Sequence, residues 1–233
     1  MIDSTNEGII RQACELAQRS QSLGLSLLLI DRSGSMRQFR QTPLTAANGF
    51  LDQMGKLPAG VEALVGVAFF NETLSDFQLM PASHAPTLEQ YEASGSTRLY
   101  AIVGDTLSSL LTLCDELRTR FLHEHGHRLT INVTFGIITD GCNEPAAPDP
   151  PGTLQRLRTL AGRALERGWQ LHLFGIGQDA KTIADDIGFP DDEEHCQTLY
   201  ANAHSIHTAT QTFSRRSIVS MTGRPSWSPP PSR

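Results

Sequence analysis

Oxygen-bearing side chains recur at three points of this chain with a spacing that suits a hard cation. Asp31-Arg32-Ser33-Gly34-Ser35 places a carboxylate and two hydroxyls at alternate positions directly after the apolar run 25–30. In extended backbone alternate side chains project to one side, so these three oxygens can converge, and Gly34 lets the chain turn between the serines. Gly95-Ser96-Thr97 precedes a helical stretch that opens near Leu99, and Thr139-Asp140-Gly141 follows the apolar run 129–138. Hydroxyls, carboxylates and water favour Mg2+, or less selectively Mn2+ and Ca2+, over zinc. Taken alone, 31–35 is also an ordinary turn composition, in which Asp, Ser and Gly serve conformation only.

The elements that must position these groups are readable from hydrophobic spacing. A helical segment at 7–22 leads to the run 25–30, and further runs lie at 61–70, 129–138 and 169–176. Continuous apolar runs of this length fit strands buried on both faces of a parallel sheet. Between them, 43–57 carries Leu44, Ala47, Leu51 and Met54 on one helical face, with Thr42 as N-cap and Pro43 in the first turn. Segment 99–122 repeats the pattern at Ile102, Leu107, Leu110, Leu111, Leu113 and Leu117, and 153–167 ends at Gly168, a left-handed cap.

The alternation predicts an α/β fold, a doubly wound, mostly parallel central sheet with helices on both faces. Residues 75–80 are expected as a short edge strand reached through Asn71-Glu72-Thr73, 198–201 as the last strand and 203–213 as the last helix. One domain is expected over 1–214, followed by a flexible Ser/Pro/Arg-rich tail at 215–233 in which Ser217, Ser220 and Ser228 are exposed candidates for modification. Open parallel sheets gather ligands beyond the carboxyl ends of their strands, where strand order reverses, so the three oxygen groups are candidates for one site.

Asp31-x-Ser33-x-Ser35, then Thr97, then Asp140 resemble the metal-ion-dependent adhesion site of von Willebrand factor type A domains, in the family's order and over about residues 25–213. The resemblance implies a Rossmann-like fold in which Ser33, Ser35 and Thr97 coordinate the metal directly. Asp31 and Asp140 would hold coordinated waters or bind directly according to state, and an Asp or Glu carboxylate of a protein partner would complete the open position. The bare domain is similar to the stand-alone bacterial TerY-like type of tellurite-resistance protein, whose domains accompany kinases, phosphatases or ATPases in stress-response or signalling complexes. A scaffold of the same fold that has lost its metal is the alternative within the family.

Composition narrows the field. A formal charge of -6 argues against nucleic acid, which attracts clustered Lys and Arg. No apolar run approaches the roughly 20 residues of a membrane span, and the first residues lack a basic and an apolar export region, so a non-membrane, cytoplasmic protein is expected. Cys14, Cys114, Cys142 and Cys196 show no C-x-x-C spacing, in keeping with a reducing compartment.

Among enzymes the main rival is an Mg2+-dependent phosphohydrolase of the haloacid dehalogenase type, with Asp31 as nucleophile. That chemistry needs a carboxylic acid two residues on, where Ser33 stands and cannot shuttle a proton. Gly175-Ile176-Gly177 lacks the third glycine and the lysine of nucleotide loops, and no G-x-S-x-G elbow is present. His123, His125 and His127 read as a helix C-terminus capped by Gly126 rather than a metal cluster. Asp185, Asp186 and the acids at 191–194 read as solvated loop, and Glu144 as a residue that supports the metal from behind its ligands.

Overall fold

The computed structural model describes residues 6–75, 77–141 and 143–223. Its elements are α1 (Asn6–Ala17), β1 (Ser22–Asp31), a 3₁₀ segment (Gly34–Phe39), α2 (Thr42–Met54), β2 (Ala63–Phe70), β3 (Met80–Pro81), α3 (Leu99–His125), β4 (Thr130–Thr139), α4 (Thr153–Glu166), β5 (Gln170–Ile176), α5 (Ala180–Ile187), β6 (Cys196–Leu199) and α6 (Ala203–Thr222). The sheet runs in the order β3-β2-β1-β4-β5-β6. All pairings are parallel except β2 with the edge strand β3.

Helices cover both faces, so the central strands are apolar on both sides. Leu23, Leu25, Leu27 and Leu29 of β1 face α1, α3, α4 and α5, while Leu28 and Ile30 face α2 and α6. The path leaves β1 towards β2 on one side and returns through β4 on the other. The carboxyl ends of β1 and β4 therefore flank the point where strand order reverses, which opens a crevice there.

Several expected boundaries move. The edge strand forms at Met80–Pro81, pairing with Val65 and Leu64, rather than at 75–80. The last strand sits earlier, at Cys196–Leu199, and α5, which includes Asp185 and Asp186, was not foreseen. The domain boundary at 214 is corrected too, because α6 continues through Arg215 and Arg216 to Thr222. Its extra turns are held by burial. Ser217 hydrogen-bonds Ser26 at 2.8 Å across the sheet, Ile218 is buried, and Met221 lies over Gly24. Ser217 is thus no exposed modification site. The rest of the expected tail, 224–233, and Cys142 lie outside the described residues.

Candidate metal centre

Asp31 is the last residue of β1 and fully buried, and its two carboxylate oxygens are both engaged. Oδ1 accepts the Ser33 backbone N–H at 2.7 Å, and Oδ2 accepts the Thr139 hydroxyl, from the end of β4, at 2.6 Å. The chain then turns so that the Ser33 and Ser35 hydroxyls lie 3.0 Å apart, and Ser35 donates to Asp140 Oδ1 at 2.7 Å. Asp31, Ser33, Ser35 and Asp140 thereby form one continuous set of contacts across the β1/β4 crevice.

Thr97 reaches the same place by a different route. Residues 85–98 form an irregular strap over the crevice, pinned by Asn48, which exchanges two hydrogen bonds with the Leu88 backbone at 2.7 and 2.9 Å. Asn71 holds the Ser94 carbonyl at 2.8 Å, and the Gly34 N–H donates to the Gly95 carbonyl at 2.8 Å, joining strap to serine turn. Thr97 and Glu144 then exchange backbone hydrogen bonds of 3.1 and 2.8 Å. Gly141 lies beside the Thr97 hydroxyl: a Cβ built on it would stand 3.9 Å from Oγ1. Among the described residues no hydrogen bond engages that hydroxyl, which leaves it free as a donor oxygen.

The electrostatics match the donor set. Burial drives the Asp31 carboxyl up to about 6, against the hydrogen bonds from Thr139 and Ser33, and the neighbouring charge of Asp140 pushes the same way. Burial also raises Asp140, opposed by Ser35 and Gln38. Among the described residues neither carboxylate meets a Lys, Arg or His. Two buried acids without a counter-charge, rimmed by three hydroxyls, are the surroundings that a hard divalent cation neutralises. The residues present fit such an ion.

Two contributors, Tyr91 and Gln38, were not visible in the sequence, and a third, Thr139, stood there in an oxygen group without an evident role. Tyr91 is buried on the strap and donates to the Asp31 carbonyl at 3.0 Å, and burial raises its hydroxyl pKa so that it keeps its proton. Gln38 brings its amide up to the Asp140 carboxylate, and Thr139 acts through its hydroxyl. Glu144 supports Thr97 with its backbone, while its side chain is exposed. His123 and His125 close α3, Gly126 caps it at φ 72°, and among the described residues no three His, Cys, Asp or Glu side chains gather as a metal site.

No protein-family model and no curated protein matches the sequence. Solved structures do match in shape. The pilus adhesin SpaC from Lactobacillus rhamnosus GG, in its open conformation, superposes with a TM-score of 0.60 at 14% identity, over 86% of this chain and 30% of SpaC. A von Willebrand factor type A protein from Catenulispora acidiphila gives 0.53 at 16% identity, over 86% of this chain and 43% of that one. Proximal thread matrix protein 1 from the mussel byssus, with a zinc-occupied MIDAS motif, gives 0.50 at 17% identity, over 83% and 48%. The chain thus spans less than half the length of each. Its fold is that of a von Willebrand factor type A domain.

Proposed function

We propose that this chain is a divalent-metal-dependent protein-interaction module. It takes Mg2+, with Mn2+ or Ca2+ as alternatives, on Ser33, Ser35, Thr97, Asp31 and Asp140, and receives an Asp or Glu carboxylate from a protein partner. The observation that carries this reading is the pair of buried acids, Asp31 and Asp140, set among hydroxyls with no cationic side chain among the described residues to balance them. When bound, the cation supplies a Lewis-acidic position for a carboxylate oxygen. Ser33, Ser35 and Thr97 are neutral, so they hold it without quenching its charge. Thr139 and the Ser33 backbone keep the Asp31 carboxylate aimed, and Tyr91 fixes the backbone beneath it.

The same geometry favours binding over turnover. A nucleophilic Asp31 would need a free, accessible oxygen, whereas it is buried with both oxygens hydrogen-bonded, and Ser33 cannot act as the acid beside it. One contact favours a metal-free scaffold instead: the Ser35–Asp140 hydrogen bond of 2.7 Å partly closes the cup on itself.

We place the module in a reducing, cytoplasmic setting beside a kinase, phosphatase or ATPase, as in TerY-like stress-response systems. Cys14, Cys114 and Cys196 are buried free thiols, and no described helix is long and apolar enough to cross a membrane. Calorimetric titration with Mg2+, and with Zn2+ in view of the mussel protein, tests the metal. Ser33→Ala, Ser35→Ala and Thr97→Ala are each expected to weaken Mg2+ by about tenfold or more. A partner captured from lysate should be lost with EDTA and with Asp31→Ala. No binding heat, with equal recovery in EDTA, would leave the metal-free scaffold as the answer.

A further inference from the structure

We infer that the metal cup is one end of a longer docking surface whose other end is the arginine-bearing 3₁₀ segment that follows it. The occupant is an acidic peptide segment of the partner, in which the carboxylate seated at the cup is followed by further Asp or Glu residues lying along Arg37 and Arg40. This rests on the carboxylate reading above.

Charge distribution is the first observation. Residues 32–40 contain Arg32, Arg37 and Arg40 and no acid, in a chain whose acids outnumber its Lys and Arg, 25 to 19. Some arginines elsewhere meet carboxylates, as Arg98 does with Asp149 and Arg156 with Asp105. Among the described residues others do not, and nor do Arg32, Arg37 and Arg40. Met36 and Phe39 anchor the segment in the core while Arg37, Gln38 and Arg40 stay exposed, and Gln38 approaches Asp140, so the exposed face borders the cup.

Backbone conformation is the second. Arg40 sits at φ 51°, ψ −121°, a region that glycine enters freely and a side chain does not. Its side chain is exposed and makes no hydrogen bond or ion pair among the described residues. Local stability therefore gives no reason for arginine there, and an exposed guanidinium at a strained position beside the proposed cup is free to meet a group outside the domain. Arg32 adds to this, with one bond of 3.3 Å to Thr73 and a buried Nε that lacks an acceptor.

The opposite rim carries acids. The Glu72 carboxylate holds the Ala146 N–H at 2.6 Å, and Glu144 is exposed beside Thr97. Glu92 stands apart from these two acids on the arginine side, since Gln41, next to Arg40, binds the neighbouring Tyr91 carbonyl, and it is exposed and pairs with none of the three arginines. The rim thus has an arginine pair at Arg37 and Arg40, with Glu92 near it, and acids at Glu72 and Glu144, with Arg32 near Glu72 through Thr73. An acidic segment leaving the cup is steered towards Arg37 and Arg40 and away from Glu72 and Glu144.

The test titrates the full chain, saturated with Mg2+, with three synthetic peptides in which one Asp is followed by Glu, Gln or Lys residues, read by NMR shifts. The Glu peptide is expected to bind about tenfold tighter than the Gln peptide at low salt, with the gap closing at about 1 M salt. The double variant Arg37→Gln, Arg40→Gly should bind both alike, with Mg2+ affinity not weakened. Equal binding of the Glu and Gln peptides by the unmodified chain, or a Glu preference that survives in the variant, overturns the arginine surface while leaving the metal reading intact. A Glu preference that ignores EDTA and Asp31→Ala overturns the metal reading, and with it the cup as one end of the surface. No binding of any peptide overturns both.

Discussion

Asp31 faces opposite demands with and without a cation. Its carboxylate is fully buried, holds two hydrogen bonds, and is pushed by burial to about 6. In the metal-free protein, ionised Asp31 is therefore a cost, whereas with a cation beside it the same charge is the reason to bind. Asp31→Asn is expected to stabilise the metal-free domain by about 1 kcal/mol, and to remove the rise in melting temperature that the proposed site predicts for the unmodified chain in Mg2+. Thermal scans with and without Mg2+ check both signs, and a variant that Mg2+ still stabilises would remove Asp31 from the proposed site. Asp31, Ser33 and Ser35 were legible as candidates because a carboxylate and hydroxyls at alternate positions past a buried strand advertise their chemistry, and Thr97 and Asp140 because they stand just before a helix and just after a strand. Tyr91 and Gln38 were not, because a phenol or an amide shows no preference until a tertiary contact assigns it a partner, and Thr139 was legible without its partner, Asp31.

Helix α6 shows how an element can be keyed into a sheet by what the strands lack. A Cβ on Gly136 would lie 2.5 Å from the Phe213 ring, which is itself flanked by Phe50 at 5.4 Å and His172 at 6.0 Å. Gly136→Ala is accordingly expected to cost about 2 kcal/mol or more in denaturant unfolding. Gly24→Ala meets Met221 Sδ at the same 2.5 Å, yet a flexible thioether can swing away, so its cost should stay below about 1 kcal/mol. The strained 3₁₀ exit gives the reverse sign, with Arg40→Gly expected to stabilise by about 1 kcal/mol. The four long strands and helices α2, α3 and α4 were readable because their apolar periods are long. The last turns of α6 were not, since Arg215, Arg216 and two serines look like linker until Ser26 and Gly24 on β1 supply partners. The eight-residue α5 is too short for its spacing to stand out between acidic stretches.

Across the molecule, a buried histidine remote from the cup is expected to carry part of the response to acid. His172 on β5 is buried, stacks on His195 at 5.1 Å and accepts from Arg216 of α6 at 3.1 Å. Burial, then the charges of Arg216 and His195, lowers it from 6.5 to about 3. Below about 6.5 the unfolded chain takes up a proton there that the folded chain refuses until about 3, so this contribution to stability is lost as pH falls through that window. Unfolding free energy should decline by up to about 1.4 kcal/mol per pH unit from this residue, and His172→Gln should flatten the slope. An unchanged slope would place the acid sensitivity elsewhere. The direction of α6 carries a practical consequence. Its last turn lies over Gly24, at the start of β1, whereas the cup lies past Asp31, about 23 Å further along the strand. A reporter or surface anchor joined after Gly223 would therefore sit at the far pole, so the domain can be immobilised by that end with its cup facing solution.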